Sequence, residues 1–569
     1  MAAHKPELLA PAGSPEALNA ALLGGADAIY FGGADFNARI NASNFSTEAI
    51  ADAVKKCHEK GVRAYVTLNT LVLEREYKNA LEFVGRLWEC KVDALIVADL
   101  GLISRIRQAF PDFELHASTQ MGVHSSDGAR TLCDMGFKRV VVARELSKEN
   151  IQSIVDTGVE VEMFCHGALC VCHSGQCLFS SLVGGRSGNR GLCAQPCRLP
   201  YNGSYPLSLK DNCLAGHVRE ILKSGVASLK IEGRMKSPDY VYAVTSAWRG
   251  LIDGEIDATA KEIKEMEKIF SRGGFTDGYY THRLGADMLG IRSEKDKDAT
   301  RRISQRMTDL SPKREPIVIR NRIKNGEIST EKRNLDFNPK ASQITLSARF
   351  YKPDTIPKNH PFDVLYLPLE CWDTRANGVM VPPVITDFEN EKIYSKLKKL
   401  KKDGCTYALC GNIGQIKKLR EMGFTVNADF RLGAYSAESA KVLFGLGVSG
   451  VIFSPELTVP QLRDIKAPKS AVIYGRIPLM LLEKRVGTTN LRDRKGVVFP
   501  VIREGGRDIV LNSAVTYMLD KENTLKLCGI STRHFIFTTE TGDEVNRVIS
   551  AYKNHKSAPT QNIRRIKDK

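Results

Sequence analysis

From residue 7 to about 234 the chain alternates short apolar, β-branched runs with longer stretches of helical periodicity. The runs read ELLAPAG, AIYFGG, RAYVTLN, ALIVAD, ELHAST, RVVVAR, VEVEMFCHG and SLKIEGR. Near-continuous apolar runs suit parallel strands covered on both faces, and eight of them with seven helix-length or loop connections predict an α/β fold, a (β/α)8 TIM-like barrel. The first helix is marked by Ser14 at its N-cap and Pro15 at its first position, then apolar Ala17, Leu18, Ala21 and Leu22. Such a barrel carries its chemistry at the C-terminal ends of its strands. The seventh strand ends near His166, Gly167 and Cys170, and the eighth delivers Lys230, Glu232, Arg234 and Lys236 to the same rim. Charges there read either as a salt-bridged rim or as an anion-binding and catalytic set. His116 and His124, at strand ends, read as structural as readily as catalytic. Asn69 reads as a helix cap as easily as a ligand, and Tyr30, Phe31 and Tyr65 read as core.

The chain then repeats itself. ELHASTQMGVHSSDGARTLCDMGFKRVVVAREL aligns without a gap, at an offset of 311, to TVNADFRLGAYSAESAKVLFGLGVSGVIFSPEL, pairing His116 with Asn427, Ser125 with Ser436 and Glu145 with Glu456. Beyond it EMFCHGALC is set against VIYGRIPLM, so the copy keeps the βα scaffold and loses the cysteines. The sequence therefore divides into a barrel over residues 1–285, a basic linker over 286–334, a second, degenerate β/α barrel-like domain over 335–550, and a basic disordered tail over 551–569.

Charge narrows the partners. The 569 residues include 82 Lys and Arg against 65 Asp and Glu, a formal charge of +17. Such an excess favours polyanions, although each single basic run also reads as a solvated face. No apolar run approaches the ~20 residues needed to span a bilayer. MAAHKPELLAPAG has no signal-peptide pattern, so a cytoplasmic, reducing compartment is expected and disulfides are not.

Seven of the fourteen cysteines fall between Cys165 and Cys213. Thiolates converging from loops at irregular spacings suit a metal centre, and the absence of paired Cys-x-x-Cys knuckles places an iron–sulfur cluster ahead of zinc. Buried structural cysteines are the plainer alternative. Cys172 and Cys197 stand by as further thiols.

These residues carry a resemblance to the U32 peptidase family, the collagenase-like proteins. It runs through Glu162-x-Phe164-x-His166-Gly167-Ala168-Leu169-Cys170, Ser174-Gly175-x-Cys177, Asn189-Arg190-Gly191-x-Cys193-Ala194-x-Pro196-Cys197-Arg198, Lys210-Asp211-x-Cys213 and Lys230-Ile231-Glu232-Gly233-Arg234-Met235-Lys236-Ser237. The resemblance implies oxygen-independent hydroxylation, of a cytidine in 23S rRNA, of wobble uridine in tRNA or of the ubiquinone ring. It also implies a 4Fe-4S cluster on Cys170, Cys177, Cys193 and Cys213, with Cys197 in reserve, and prephenate as oxygen donor. On this reading His166, Glu232 and Arg234 are catalytic, and Lys230, Lys236 and His116 bind the cofactor or donor. RNA is the expected partner, with an electron-donor protein beside it and no membrane. A peptidase built on Cys170 and His166, and a non-catalytic RNA-binding protein, are the rivals from other classes.

Overall fold

The computed structural model describes residues 5–40, 42–293, 296, 344–557 and 563–567. From residue 294 the expected basic linker lies outside them, apart from Asp296.

Eight parallel strands form the first barrel: Glu7–Pro11, Ala28–Gly32, Arg63–Leu68, Ala94–Val97, Glu114–Ala117, Arg139–Val141, Glu160–Gly167 and Ser228–Ile231. The eighth closes it, because Lys230 lies opposite both Leu9 and Phe164. Its helices start where a short polar side chain satisfies a free backbone N–H: Ser14, Ser46, Asp99, Ser125, Ser147 and Ser237 each accept from the residue three positions on.

The lower interior of this barrel is charged. Arg139 Nη1 lies 2.6 Å from Glu7 Oε1 and 3.4 Å from Glu162 Oε2, and Lys230 Nζ lies 2.8 Å from Glu162 Oε1. Tyr65 donates to Glu7, and Arg63 also pairs with it. Alternating signs let the column be buried, since each ion has a partner.

Eight parallel strands recur in the second half: Thr345–Phe350, Val364–Pro368, Gly378–Met380, Tyr407–Cys410, Thr425–Ala428, Gly450–Val451, Lys469–Gly475 and Ile530–Phe537. Strands six and seven meet through a single bridge, Ile452 to Ser470. At the expected offset of 311, Gly122 and Gly433 both adopt the left-handed conformation, and Ser125 and Ser436 both cap helices. The seventh strand departs from the alignment. Val142 N–H donates to Glu162 O as Phe453 N–H donates to Ser470 O, so three residues are missing before the copy's strand and the offset there is 308. Gly167 thus corresponds to Gly475 and His166 to Tyr474, not to Ile477 and Arg476, which the sequence pairing at an offset of 310 set against them. Both glycines have positive φ, 105° and 122°, where a Cβ would strike a carbonyl oxygen at the end of the eighth strand, that of Glu232 or of Ile536.

Each barrel carries a long insertion between its seventh and eighth strands. In the first it holds the clustered cysteines and the short strand Asp211–Cys213. In the second it holds an antiparallel sheet of Pro478–Leu482, Asn490–Arg492, Val498–Glu504 and Arg507–Leu511. The insertions pack on one another. Cys172 bridges Leu482, His173 and Leu178 N–H donate to Leu481 and Leu479 O, and Leu169, Val171 and Phe179 share an apolar core with Met480, Leu482 and Phe499. The tail is not wholly disordered as expected. The helix Gly542–Lys553 runs into it, Ile563–Arg564 pairs in the second sheet, and Arg565 is held by Asp520.

Candidate active site at the mouth of the first barrel

At the C-terminal end of the first barrel, one wall is the end of strand eight. Lys230 Nζ sits 4.3 Å from the centroid of the Tyr30 ring, with Glu162 below it. Glu232 follows, 3.3 Å from Arg39 Nη2. Arg234 Nη1 donates to Thr67 Oγ1 at 2.8 Å and to Asn37 Oδ1 at 3.2 Å. Arg144, just past strand six, lies over the Phe164 ring at 4.6 Å, and its Nε has no partner among the described residues. Gln120, Ser118 and Asn69 complete the wall.

Charge at this mouth is not balanced. Arg39, Arg144, Arg234 and Lys230 face Glu162 and Glu232, four cations against two anions, an excess of two. Burial and the repulsion of Arg39 bring the Arg234 guanidinium down to about 10. Burial would raise the Glu232 carboxyl, but Arg39, Arg144 and Arg234 outweigh it and hold it below the usual carboxylate range. The mouth therefore offers an ionised carboxylate as a proton acceptor and spare guanidinium donors for a dianion.

Thiols lie close enough to the same mouth for Cys170 to feel the charge of Arg144 and Cys193 that of Arg39. Burial pushes the Cys170 thiol up to about 11, with Cys177 adding to the rise and Arg144 opposing it. Cys193 is pushed up by burial, is bonded by Gln195 N–H at 3.3 Å, and feels Cys177 and Arg39. Cys197 is raised by burial and by Cys170, Cys177 and Cys193. Cys177 is pulled down, first by its hydrogen bond with Cys172. Cys170, Cys172, Cys177, Cys193 and Cys197 thus form one interacting set. Cys213 stands elsewhere, in a short strand opposite His166, and its thiol neighbour is Cys165. Cys172 lies within the apolar core that the two insertions share, Cys170, Cys177 and Cys197 pack against it and Cys193 is exposed; these last four loop-borne thiols have the donor chemistry of an iron–sulfur site.

The other expected site residues are not at the mouth. His166 packs against Phe275, with ring centroids 5.1 Å apart, and near Tyr240; both its ring nitrogens lack partners among the described residues, and burial brings it down to about 3. It makes no hydrogen bond with Cys170, so the cysteine–histidine nucleophile is not assembled. Lys236 lies over the Phe270 ring on that same outer side. His116 is inside the barrel, 2.8 Å from Glu114 and edge-on to Tyr65. Conversely, Arg39, Arg144, Asn37 and Gln120 escaped the sequence reading. Their one common signal is position, each lying a few residues past the end of a barrel strand.

Residues 13–289 match the family model described as Peptidase family U32. A 23S rRNA 5-hydroxycytidine synthase of Escherichia coli (strain K12) is 40% identical over 309 residues, which cover 50% of this chain and 47% of that protein. The tRNA hydroxylation protein P1 of Bacillus subtilis (strain 168) is 36% identical over 292 residues, 47% of this chain and 69% of that protein. A protein named collagenase from Porphyromonas gingivalis (strain ATCC BAA-308 / W83) is 32% identical over 320 residues, 49% of this chain and 76% of that protein. The chain spans about half the length of the first of these relatives.

Proposed function

Because the chain belongs to peptidase family U32, and because a set of interacting thiols lies beside an anion-binding mouth, we propose that it is an RNA hydroxylase. It adds oxygen to C5 of a pyrimidine, in first place a cytidine of 23S rRNA and alternatively a tRNA wobble uridine, without O2. The relatives named for RNA hydroxylation and the formal charge of +17 support this reading. The observation that carries it is the excess of two positive charges beside the thiols.

On this reading Cys170, Cys177, Cys193 and Cys197 hold a 4Fe-4S cluster, Cys197 replacing Cys213 because it alone of the two interacts with the other three. Converting C5–H to C5–OH oxidises the ring by two electrons and the oxygen donor, in giving up its hydroxyl, is reduced by two; the cluster, when bound, relays those electrons. Arg39, Arg144 and Arg234 hold the oxygen donor, and prephenate, a dicarboxylate, matches the surplus charge. Glu232 accepts a proton from the pyrimidine, and Phe164 and Tyr30 offer the ring faces against which Arg144 and Lys230 rest. No described helix is long and apolar enough to cross a membrane, in keeping with a partner in the cytoplasm, and an electron-donor protein is part of the proposal.

The test is nucleoside mass spectrometry of 23S rRNA and tRNA from a host lacking the gene. The expected result is loss of one hydroxylated pyrimidine, restored by the wild-type gene and not by Cys177→Ala or Arg234→Ala. Unchanged nucleosides in both RNAs would end the proposal.

A further inference from the structure

At the seam between the barrels a second set of side chains converges, away from the thiols. His124 Nε2 lies 2.7 Å from Glu145 Oε1, His173 Nδ1 lies 3.0 Å from the same oxygen, and the two nitrogens are 3.2 Å apart. All three residues are buried, at 3%, 7% and 2% exposure. Two imidazole nitrogens and a carboxylate oxygen aimed at one point are poorly served by protons alone, because both N–H groups would face each other as well as the carboxylate. A divalent cation takes all three lone pairs.

Outer contacts fit that role. His173 presents its other nitrogen to Glu483 Oε2 at 3.0 Å, and Arg507 Nε fixes Glu483 from behind at 2.7 Å. A carboxylate behind a ligating histidine orients the ring and strengthens it as a donor. Ser174 holds Glu145 through its N–H at 3.0 Å and its hydroxyl at 3.1 Å. The trio also lines a cavity of 390 Å³ with Glu149, Glu389 and Glu483, the last two paired with Arg507, which leaves room for water on the open side of an ion. In the second barrel the corresponding pair is Tyr435 hydrogen-bonded to Glu456, which keeps the carboxylate and removes the imidazole.

We propose that His124, Glu145 and His173 bind one divalent cation of the zinc class, in a site separate from the cysteines and completed by water. Two imidazoles with one carboxylate and an open position select zinc-like ions over calcium or magnesium. Tetrahedral coordination at ~2.0–2.1 Å separates donors by roughly 3.3 Å, so each of the three moves outward by a few tenths of an ångström on binding. The site would pin the loops after strands five and six, and the cysteine insertion, to the sheet of the second barrel.

Cobalt(II) reports the ligand type. The full-length Cys170→Ser/Cys177→Ser protein, freed of metal, is titrated with cobalt(II) and followed by visible absorption, and the wild type is analysed for zinc after growth in zinc medium. The expected result is one cobalt per chain with a nitrogen–oxygen ligand-field spectrum and no thiolate charge-transfer band. His124→Asn and Glu145→Gln should abolish it, and Glu483→Gln should weaken binding roughly 10- to 100-fold. Absence of stoichiometric binding, a thiolate spectrum, or affinity unchanged in folded His124→Asn would overturn the proposal. Should those variants fail to fold, the spectrum of the parent protein decides alone.

Discussion

Arg144 concentrates the argument at the scale of single residues. Its Nε has no partner among the described residues, its guanidinium rests on Phe164, and it acts on both Glu232 and Cys170. A charged hydrogen bond to a bound carboxylate is worth about 1.5–3 kcal/mol. Arg144→Ala should therefore raise the KM for an anionic oxygen donor by roughly 10- to 100-fold, and steady-state kinetics with the donor varied will show it; an unchanged KM removes Arg144 from the donor site. Iron analysis separates the thiols: Cys197→Ser should lose the cluster and Cys213→Ser should keep it, and the reverse pattern restores the ligand set implied by resemblance. A titration test lies in the second barrel. Burial raises the Glu504 carboxyl to about 7, above its ordinary 4.5. A raised folded-state value gives stability that is full below pH 4.5 and is lost as pH climbs through 7, by about 3 kcal/mol for that shift. Glu504→Gln should flatten thermal melts between pH 4.5 and 7.5 and exceed wild type at the upper end; parallel curves would refute it. At this scale Lys230, Glu232 and Arg234 were legible because they crowd one strand end. Arg39 and Arg144 were not, since lone arginines after different strands converge only in space. His166 was misplaced because a register shift between Phe164 and His166 breaks the inside–outside alternation that a regular strand keeps.

Elements explain why the cysteines sit where they do. The loop from Val171 to Cys177 turns at Gly175, whose φ is +76° and whose added Cβ would lie 2.0 Å from Gln120 O. Gln120 belongs to the turn after strand five and lines the mouth, so this close approach docks the thiol loop on the barrel. Gly175→Ala must displace backbone rather than a flexible side chain, and by the strain of both contact and conformation it should destabilise by roughly 1–3 kcal/mol and reduce bound iron. A folded Gly175→Ala protein with full iron content would show that the turn does not position the thiols. The strand order of the first barrel and the existence of a second were readable from periodicity and self-similarity alone. The three-residue deletion before the copy's seventh strand was not, because an apolar strand aligns about equally well at neighbouring registers. Only the hydrogen bonds of Val142 and Phe453 fix it.

For the whole molecule, the barrels are coupled at points that no single-domain pattern reveals. Asp387 begins a helix of the second barrel, yet its carboxylate accepts from Ser126 N at 3.1 Å, Ser126 Oγ at 2.6 Å and Ser153 Oγ at 2.6 Å, so it stabilises the start of a first-barrel helix from outside. Tyr77 of the first barrel meets Ser436, the cap of a second-barrel helix, at 2.8 Å. Together with the shared apolar core of the two insertions, these contacts should make unfolding a single event rather than two. The three tryptophans allow a direct measurement, because Trp88 and Trp248 report on the first barrel and Trp372 on the second. Trp372→Phe and the double variant Trp88→Phe/Trp248→Phe should melt at the same temperature by fluorescence. Asp387→Ala, which removes charge-assisted hydrogen bonds worth about 2 kcal/mol, should lower both signals together by a few degrees. Separate transitions, or an Asp387→Ala shift confined to Trp372, would mean that the second barrel is a tethered neighbour. The thiol insertion would then have to hold the proposed cluster without the cover that Met480, Leu482 and Phe499 provide.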